Sequence, residues 1–195
     1  MAYTPKILCF AGSLRRDSFN KKLVKIAMAG AKDAGADVTY LDLKEIPLPV
    51  FDEDLEKAEG IPENAKKLKQ LMKSHQGFLL SCPEYNSSIT GALKNAIDWA
   101  STPAPDEKPL ECFDGKVAGL MAASPGGLGG LRGLVTVRSI LGNISVHVIP
   151  QQVAIPNAGQ AFAEDGSLKD QKKQQEVRNI GARLAEVTSR LFEPK

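Results

Sequence analysis

Three segments of this chain gather the residue types that bind anions and flat ligands. The first is Gly12–Leu23, GSLRRDSFNKKL, which follows a short apolar run and leads into a helical pattern. Gly12 permits a tight turn, Ser13, Ser18 and Asn20 supply short polar groups, and Arg15 or Arg16 supplies positive charge. A helix starting here presents free backbone N–H groups and the positive end of its dipole, so the segment reads as a phosphate cradle. It has neither the GxGxxG of a dinucleotide pyrophosphate site nor the GxxxxGKS/T of a P-loop, which points to a single phosphate. A plain Ser or Asp helix cap beside solvated arginines would use the same residues, and spacing does not separate the two. Arg15 is the expected phosphate ligand and Arg16 the expected surface residue.

The second segment, Cys82–Trp99, reads CPEYNSSITGALKNAIDW. Pro83 stiffens the turn, and Glu84, Tyr85 and Asn86 offer a polar backbone and an aromatic face. The simpler readings are a packed loop aromatic for Tyr85 and a solvated charge for Glu84. Thr90 is placed to cap the following helix, and Lys94 and Asp98, at i and i+4, form a surface ion pair or an oligomer contact. The third segment, Ser124–Gly133, carries five glycines in ten residues, which let the backbone approach a flat ligand closely, with Ser124 as a donor.

Apolar, β-rich runs at Lys6–Ala11, Asp37–Leu43, Gln76–Ser81, Val117–Ala123 and Ile144–Ile149 alternate with stretches of helical period. Leu23, Ile26, Ala27, Gly30, Ala31 and Ala34 line one face of a helix over Phe19–Gly35. Pro62 opens a second helix in its first turn, and Ala65, Leu68 and Met72 give that helix its stripe. Leu93, Ala96, Ile97 and Ala100 mark a third helix, Leu134, Val137 and Leu141 a fourth, and Val177, Ile180, Leu184, Val187 and Leu191 a fifth. Stretches 47–62 and 102–113 are expected to be surface loops. Five strands alternating with five helices imply a parallel sheet covered on both faces, either flavodoxin-like in order 2-1-3-4-5 or a truncated Rossmann half. The three segments follow strands one, three and four. In the order 2-1-3-4-5 the first two of these strands are neighbours whose helices leave to opposite faces, opening a crevice between their loops. The expectation is a flavodoxin-like three-layer α/β sandwich with one domain over residues 1–195.

Composition bounds the rest. A chain of 195 residues with 43% hydrophobic content can bury one sizeable core. A net charge of +2 gives no warrant for a nucleic-acid or membrane-surface partner. No run approaches the roughly 18 apolar residues of a membrane span, and the first residues lack the features of a secretory leader. Cys9, Cys82 and Cys112 are an odd count without CxxC spacing, which suits the cytoplasm. His75 and His147 read as structural, and no metal-ligand constellation is expected. Phe10, Ala11 and Gly12 stand where a phosphoacceptor receiver domain needs acidic residues.

GSLRRDSFN at 12–20 together with PEYNSSITGALKNAIDW at 83–99 closely resembles the NADPH-dependent FMN reductase family, over nearly the whole chain. The resemblance implies that the first motif binds the FMN phosphate through Ser13, Arg15, Ser18 and Asn20. It implies that Pro83, Glu84, Tyr85 and Asn86 lie along the isoalloxazine ring, and that Ser124, Gly126 and Gly127 close over it. The glycines at 129, 130 and 133 depart from some relatives. The implied reaction passes hydride from NADPH or NADH to bound FMN, and electrons then to a quinone or a similar small acceptor such as chromate, an azo dye, a ferric chelate or free flavin. No residue is needed as catalytic acid or base. Arg132 is the nominee for the NADPH 2′-phosphate, against a solvated residue at its helix start. Family members commonly assemble as homodimers or homotetramers, and the face with Leu93, Lys94, Ile97, Asp98 and Trp99 is expected to carry the contact. A non-enzymatic electron carrier like flavodoxin shares the fold, but such carriers tend to be acidic and this chain is slightly basic.

Overall fold

The computed structural model describes residues 3–194. Its elements run β1 (Lys6–Ala11), α1 (Phe19–Asp33), β2 (Asp37–Leu41), a 3-10 turn (Leu43–Glu45), α2 (Glu53–Glu59), α3 (Glu63–Ser74) and β3 (Gly77–Ser81). They continue with the short strands β4 (Glu84–Tyr85) and β5 (Ser88–Ile89), then α4 (Gly91–Ser101), β6 (Val117–Ala123), α5 (Leu131–Asn143), β7 (His147–Ile155), α6 (Ala158–Ala161) and α7 (Gln171–Phe192). One parallel sheet runs in the order β2-β1-β3-β6-β7, which is the expected 2-1-3-4-5 once the β4–β5 hairpin is set aside.

Strand alternation divides the apolar residues between two layers. Leu8 and Phe10 of β1 join Phe78 and Leu80 of β3 beneath α3, α4 and α5. Ile7 and Cys9 turn the other way and join Leu79 and Met121 beneath α1 and α7. The latter two helices cross in backbone contact. A Cβ on Gly30 would stand 2.0 Å from the Arg178 carbonyl oxygen, and one on Gly181 would stand 1.9 Å from that of Ala27.

Several expected boundaries shift. The fifth strand of the sheet is not Ile144–Ile149 but His147–Ile155. It continues through Pro150 because β7 is an edge strand with an irregular register opposite Ala118–Leu120, where a missing N–H is tolerated. The second strand ends at Leu41 and passes into the 3-10 turn. Stretch 47–62 contains α2, capped by the Asp52 carboxylate, and Pro62 stands just before α3 rather than inside it. Stretch 102–113 is a loop, held by a largely buried ion cluster in which Glu107 meets Lys69 at 2.6 Å and Lys73 at 2.7 Å. Desolvation opposes the Glu107 charge, yet hydrogen bonds from both lysines bring its pKa down to about 2.

Candidate flavin site

All three chemical segments meet at the carboxyl end of the sheet, and side chains tie them to one another. The Gly12 N–H donates to the Ser81 carbonyl at 2.9 Å, and the Thr90 hydroxyl donates to the Gly12 carbonyl at 2.6 Å. Gly12 is required here, since a Cβ would come within 2.8 Å of Leu93 Cβ. Asn20 joins the first segment to the third: its Nδ2 donates to the Ala123 carbonyl at 2.8 Å, and its Oδ1 accepts from the Ala123 N–H at 3.0 Å and the Ser81 hydroxyl at 2.8 Å. Glu84 joins the second to the third through Arg132 and the Gly133 N–H.

The first segment leads from β1 to the start of α1. Ser13 and Ser18 are only 4% exposed, while Arg15 and Arg16 are both exposed. Ser13 Oγ accepts from the Arg15 N–H at 3.3 Å. Ser18 occupies the N-cap position but makes no capping bond, and α1 has no acidic residue in its first turn. Since no fully buried side-chain nitrogen or oxygen lacks a partner among the described residues, the Ser18 hydroxyl keeps access to solvent. The plain helix-cap reading of this segment therefore fails at Ser18, and a helix N-terminus with two hydroxyls and an exposed arginine in the same loop suits a phosphate.

The expected ring-contact residues divide. Tyr85, 53% exposed, and Asn86 stand at the surface of the β4–β5 hairpin, and Pro83 is buried behind them. Glu84 is no solvated charge: its side chain is 7% exposed and engaged with Arg132 and Gly133. Asn20, expected to reach the phosphate, has its side chain turned into the protein, which leaves only its main chain to face a ligand. Gly126 and Gly127 are exposed, and a Cβ there would meet nothing nearer than Ser124 Oγ at 3.8 Å, so no protein contact excludes a side chain at either. Gly129 and Gly130 differ: both have positive φ, and a Cβ on either would come within 2.7 Å of Ile155 or Ala122. Those two glycines serve packing rather than a ligand.

Other expectations change. Trp99 is fully buried, donates to the Pro49 carbonyl at 2.8 Å and meets Phe51 edge-on, while Leu93 and Ile97 are also internal. That face cannot carry an apolar oligomer contact. Lys94 and Asp98 do pair, at 2.6 Å. Arg132 lies at the start of its helix with its side chain 56% exposed, as the solvated reading expects, but it is not free, since its Nε and Nη2 both donate to Glu84. His75 is buried with Nε2 2.8 Å from the Thr39 hydroxyl, and burial lowers its pKa; His147 is exposed. Sequence reading missed the Asn20–Ser81–Ala123 bracket and the Lys21–Asp42 ion pair at 2.7 Å, because neither has a local spacing signature. A groove of about 870 Å³ lies at the opposite end of the sheet between Thr4, Gly35 and α7. It lies away from the carboxyl edge where open α/β sheets bind ligands.

The sequence and the fold are matched by known proteins. The sequence pattern described as NADPH-dependent FMN reductase matches residues 5–160. The chain belongs to the NADPH-dependent FMN reductase family. It is similar to an NAD(P)H:quinone oxidoreductase of Solanum tuberosum, 36% identical over 180 residues, covering 90% of this chain and 88% of the relative. It is also 36% identical over 168 residues to an NAD(P)H-dependent FMN reductase of Pseudomonas aeruginosa, with 86% of each covered. Among solved structures, the flavoenzyme NAD(P)H:(acceptor) oxidoreductase of Paracoccus denitrificans superposes with a TM-score of 0.80 at 28% identity, covering 96% of this chain and 98% of that one. Membership in this family makes the chain an FMN-dependent, NAD(P)H-using oxidoreductase, and the electron-carrier reading gives way to the enzyme reading. Among the described residues no helix is long and apolar enough to cross a membrane.

Proposed function

We propose that this reductase carries one FMN per chain at the carboxyl edge of β1, β3 and β6, and that it passes electrons from NADPH or NADH to a quinone. The observation that carries the reading is the uncapped start of α1, with Ser13, Ser18 and Arg15 around it. In this reading Ser13 and Ser18 donate to the phosphate, Arg15 neutralises it, and Arg16 remains a surface residue. In this reading the exposed Tyr85, Asn86, Gly126 and Gly127 border the ring, with the buried Pro83 behind and Ser124 at the margin. Glu84 serves the hairpin rather than the ring. Bound FMN supplies the redox chemistry, accepting hydride from the nicotinamide and handing electrons to the acceptor. The chain's residues hold the cofactor and keep one side open, so donor and acceptor take turns. No residue is assigned as acid or base. The quinone assignment draws on the names of the relatives from Solanum tuberosum and from Burkholderia, the latter a 2-hydroxy-1,4-benzoquinone reductase.

We further infer a homodimer or homotetramer formed through the start of α5, where Leu128, Leu131 and Val135 are exposed at helical spacing, instead of through the Trp99 face. One domain over residues 1–195 is supported by two apolar layers sharing one sheet. A cytoplasmic location is supported by three buried free thiols, with desolvation raising Cys9 and Cys82 to about 12. Heat release of the cofactor should yield one FMN per chain in preference to FAD, and steady-state rates with a quinone should give parallel-line, ping-pong kinetics. Stoichiometric FAD, or no flavin under saturating FMN, overturns the reading. Light scattering that reports a monomer at micromolar concentration overturns the assembly alone.

A further inference from the structure

Helix α5 begins without a cap from its own sequence. Gly130 stands at the N-cap with φ of 94° and has no side chain to cap with, and the first turn holds no acidic residue. The acceptor comes from 49 residues earlier in the chain: Glu84 Oε2 accepts from the Gly133 N–H at 3.1 Å. Glu84 Oε1 accepts from Arg132 Nε at 2.8 Å and from Nη2 at 2.5 Å. One carboxylate thus caps the helix and answers the cation beside it. Close approach depends on absent side chains, since a Cβ on Gly133 would lie 3.3 Å from the Ser88 carbonyl oxygen and 3.4 Å from Glu84 Cβ. Desolvation works against the Glu84 charge, but the Arg132 and Gly133 hydrogen bonds outweigh it and hold its pKa below the usual carboxylate range.

The β4–β5 hairpin needs such an anchor. It has two residues per strand, and its turn places Asn86 at φ 51° and Ser87 at φ 67°. Both angles suit a type I′ turn, whose second position favours glycine, so Ser87 sits in a conformation that costs energy. An isolated two-stranded hairpin is marginal in water at best. Yet this hairpin presents Tyr85 and Asn86 to the flavin opening.

We propose that Glu84 and Arg132 are positioning residues: they lock the β4–β5 hairpin onto the first turn of α5 and so set the spacing of the two walls between which FMN binds. The proposal rests on the flavin reading above. The lock acts on cofactor affinity through Tyr85 and Asn86, with no contact of its own to the cofactor.

The test uses the full chain, with FMN binding followed by flavin fluorescence and amide hydrogen exchange followed in the FMN-free protein. Glu84→Ala should raise the FMN dissociation constant about tenfold, within the range for losing a charge-assisted hydrogen bond. It should also speed exchange at Gly133 and across the hairpin. Glu84→Gln keeps an acceptor for Gly133 and should recover most of the affinity. Arg132→Gln alone should weaken binding, and adding it to Glu84→Ala should cost nothing further, because the two act as one unit. Additive losses, or unchanged FMN affinity in variants that only melt earlier, would overturn the lock. Wild-type protein that takes up no FMN overturns the functional reading instead, so the two failures are distinguishable.

Discussion

Helices α1 and α4 lie on opposite faces of the sheet and follow the neighbouring strands β1 and β3, and each has a hydroxyl residue at its N-cap. Thr90 uses its hydroxyl fully: it accepts from the Leu93 N–H at 3.1 Å and donates to the Gly12 carbonyl at 2.6 Å. Ser18 does not cap its helix, and Asn20, two residues on, directs its amide away to Ala123 and Ser81. The same residue class at the same station therefore closes one helix and leaves the other open. Closure of α4 ties the Gly12 turn to the helix start, and in the proposed function the open end of α1 is the anion seat.

The largest effect that sharpens this contrast is expected at Asn20. Asn20→Leu removes three buried hydrogen bonds and leaves Ala123 and Ser81 without partners, so unfolding free energy should fall by about 3 kcal/mol in chemical denaturation. A loss within the ~0.5 kcal/mol of an ordinary surface change would mean the bracket carries no weight. Next comes Arg15→Ala, expected to weaken FMN binding by about 2 kcal/mol with little effect on stability, whereas Arg16→Ala should do much less. Equal losses from the two arginines, measured by fluorescence titration, would place both at the phosphate. Thr90→Ala should lower stability by about 1 kcal/mol through the lost cap. Ser18→Ala should leave the melting curve within about 0.5 kcal/mol of wild type and weaken FMN binding. If Ser18→Ala costs as much stability as Thr90→Ala, the two helix starts are alike and the comparison breaks.

Much of the fold and part of the candidate site could be read from the residues, and the unread part has a physical pattern. β1 and β6 are recovered to the residue because each is an unbroken apolar run buried on both faces. β7 was not, since a proline inside an edge strand looks like a terminator until the bulge beside it is known. Short helix α2 hid in a stretch whose apolar stripe is too weak to register, for none of its residues is buried. Within the site, Ser13, Ser18 and the Pro83–Asn86 turn announce themselves because local spacing creates them. Asn20 to Ala123 and Glu84 to Arg132 are long-range pairings, separated by 103 and 48 residues, and only the folded chain reveals that these side chains hold loops together. Trp99 misled for the opposite reason: the sole tryptophan suggested an interface, but its indole N–H finds the Pro49 carbonyl and its ring finds Phe51.

In the proposed function this chain is a reductase whose FMN sits on the open helix start and exchanges electrons with nicotinamide and quinone in turn. Anaerobic stopped-flow on the FMN-loaded protein tests it most directly. NADPH or NADH alone should bleach the flavin absorbance, and a quinone added afterwards, with no further nucleotide, should restore it. A flavin that stays oxidised under excess of both nucleotides, yet is reduced by dithionite, would contradict the claim.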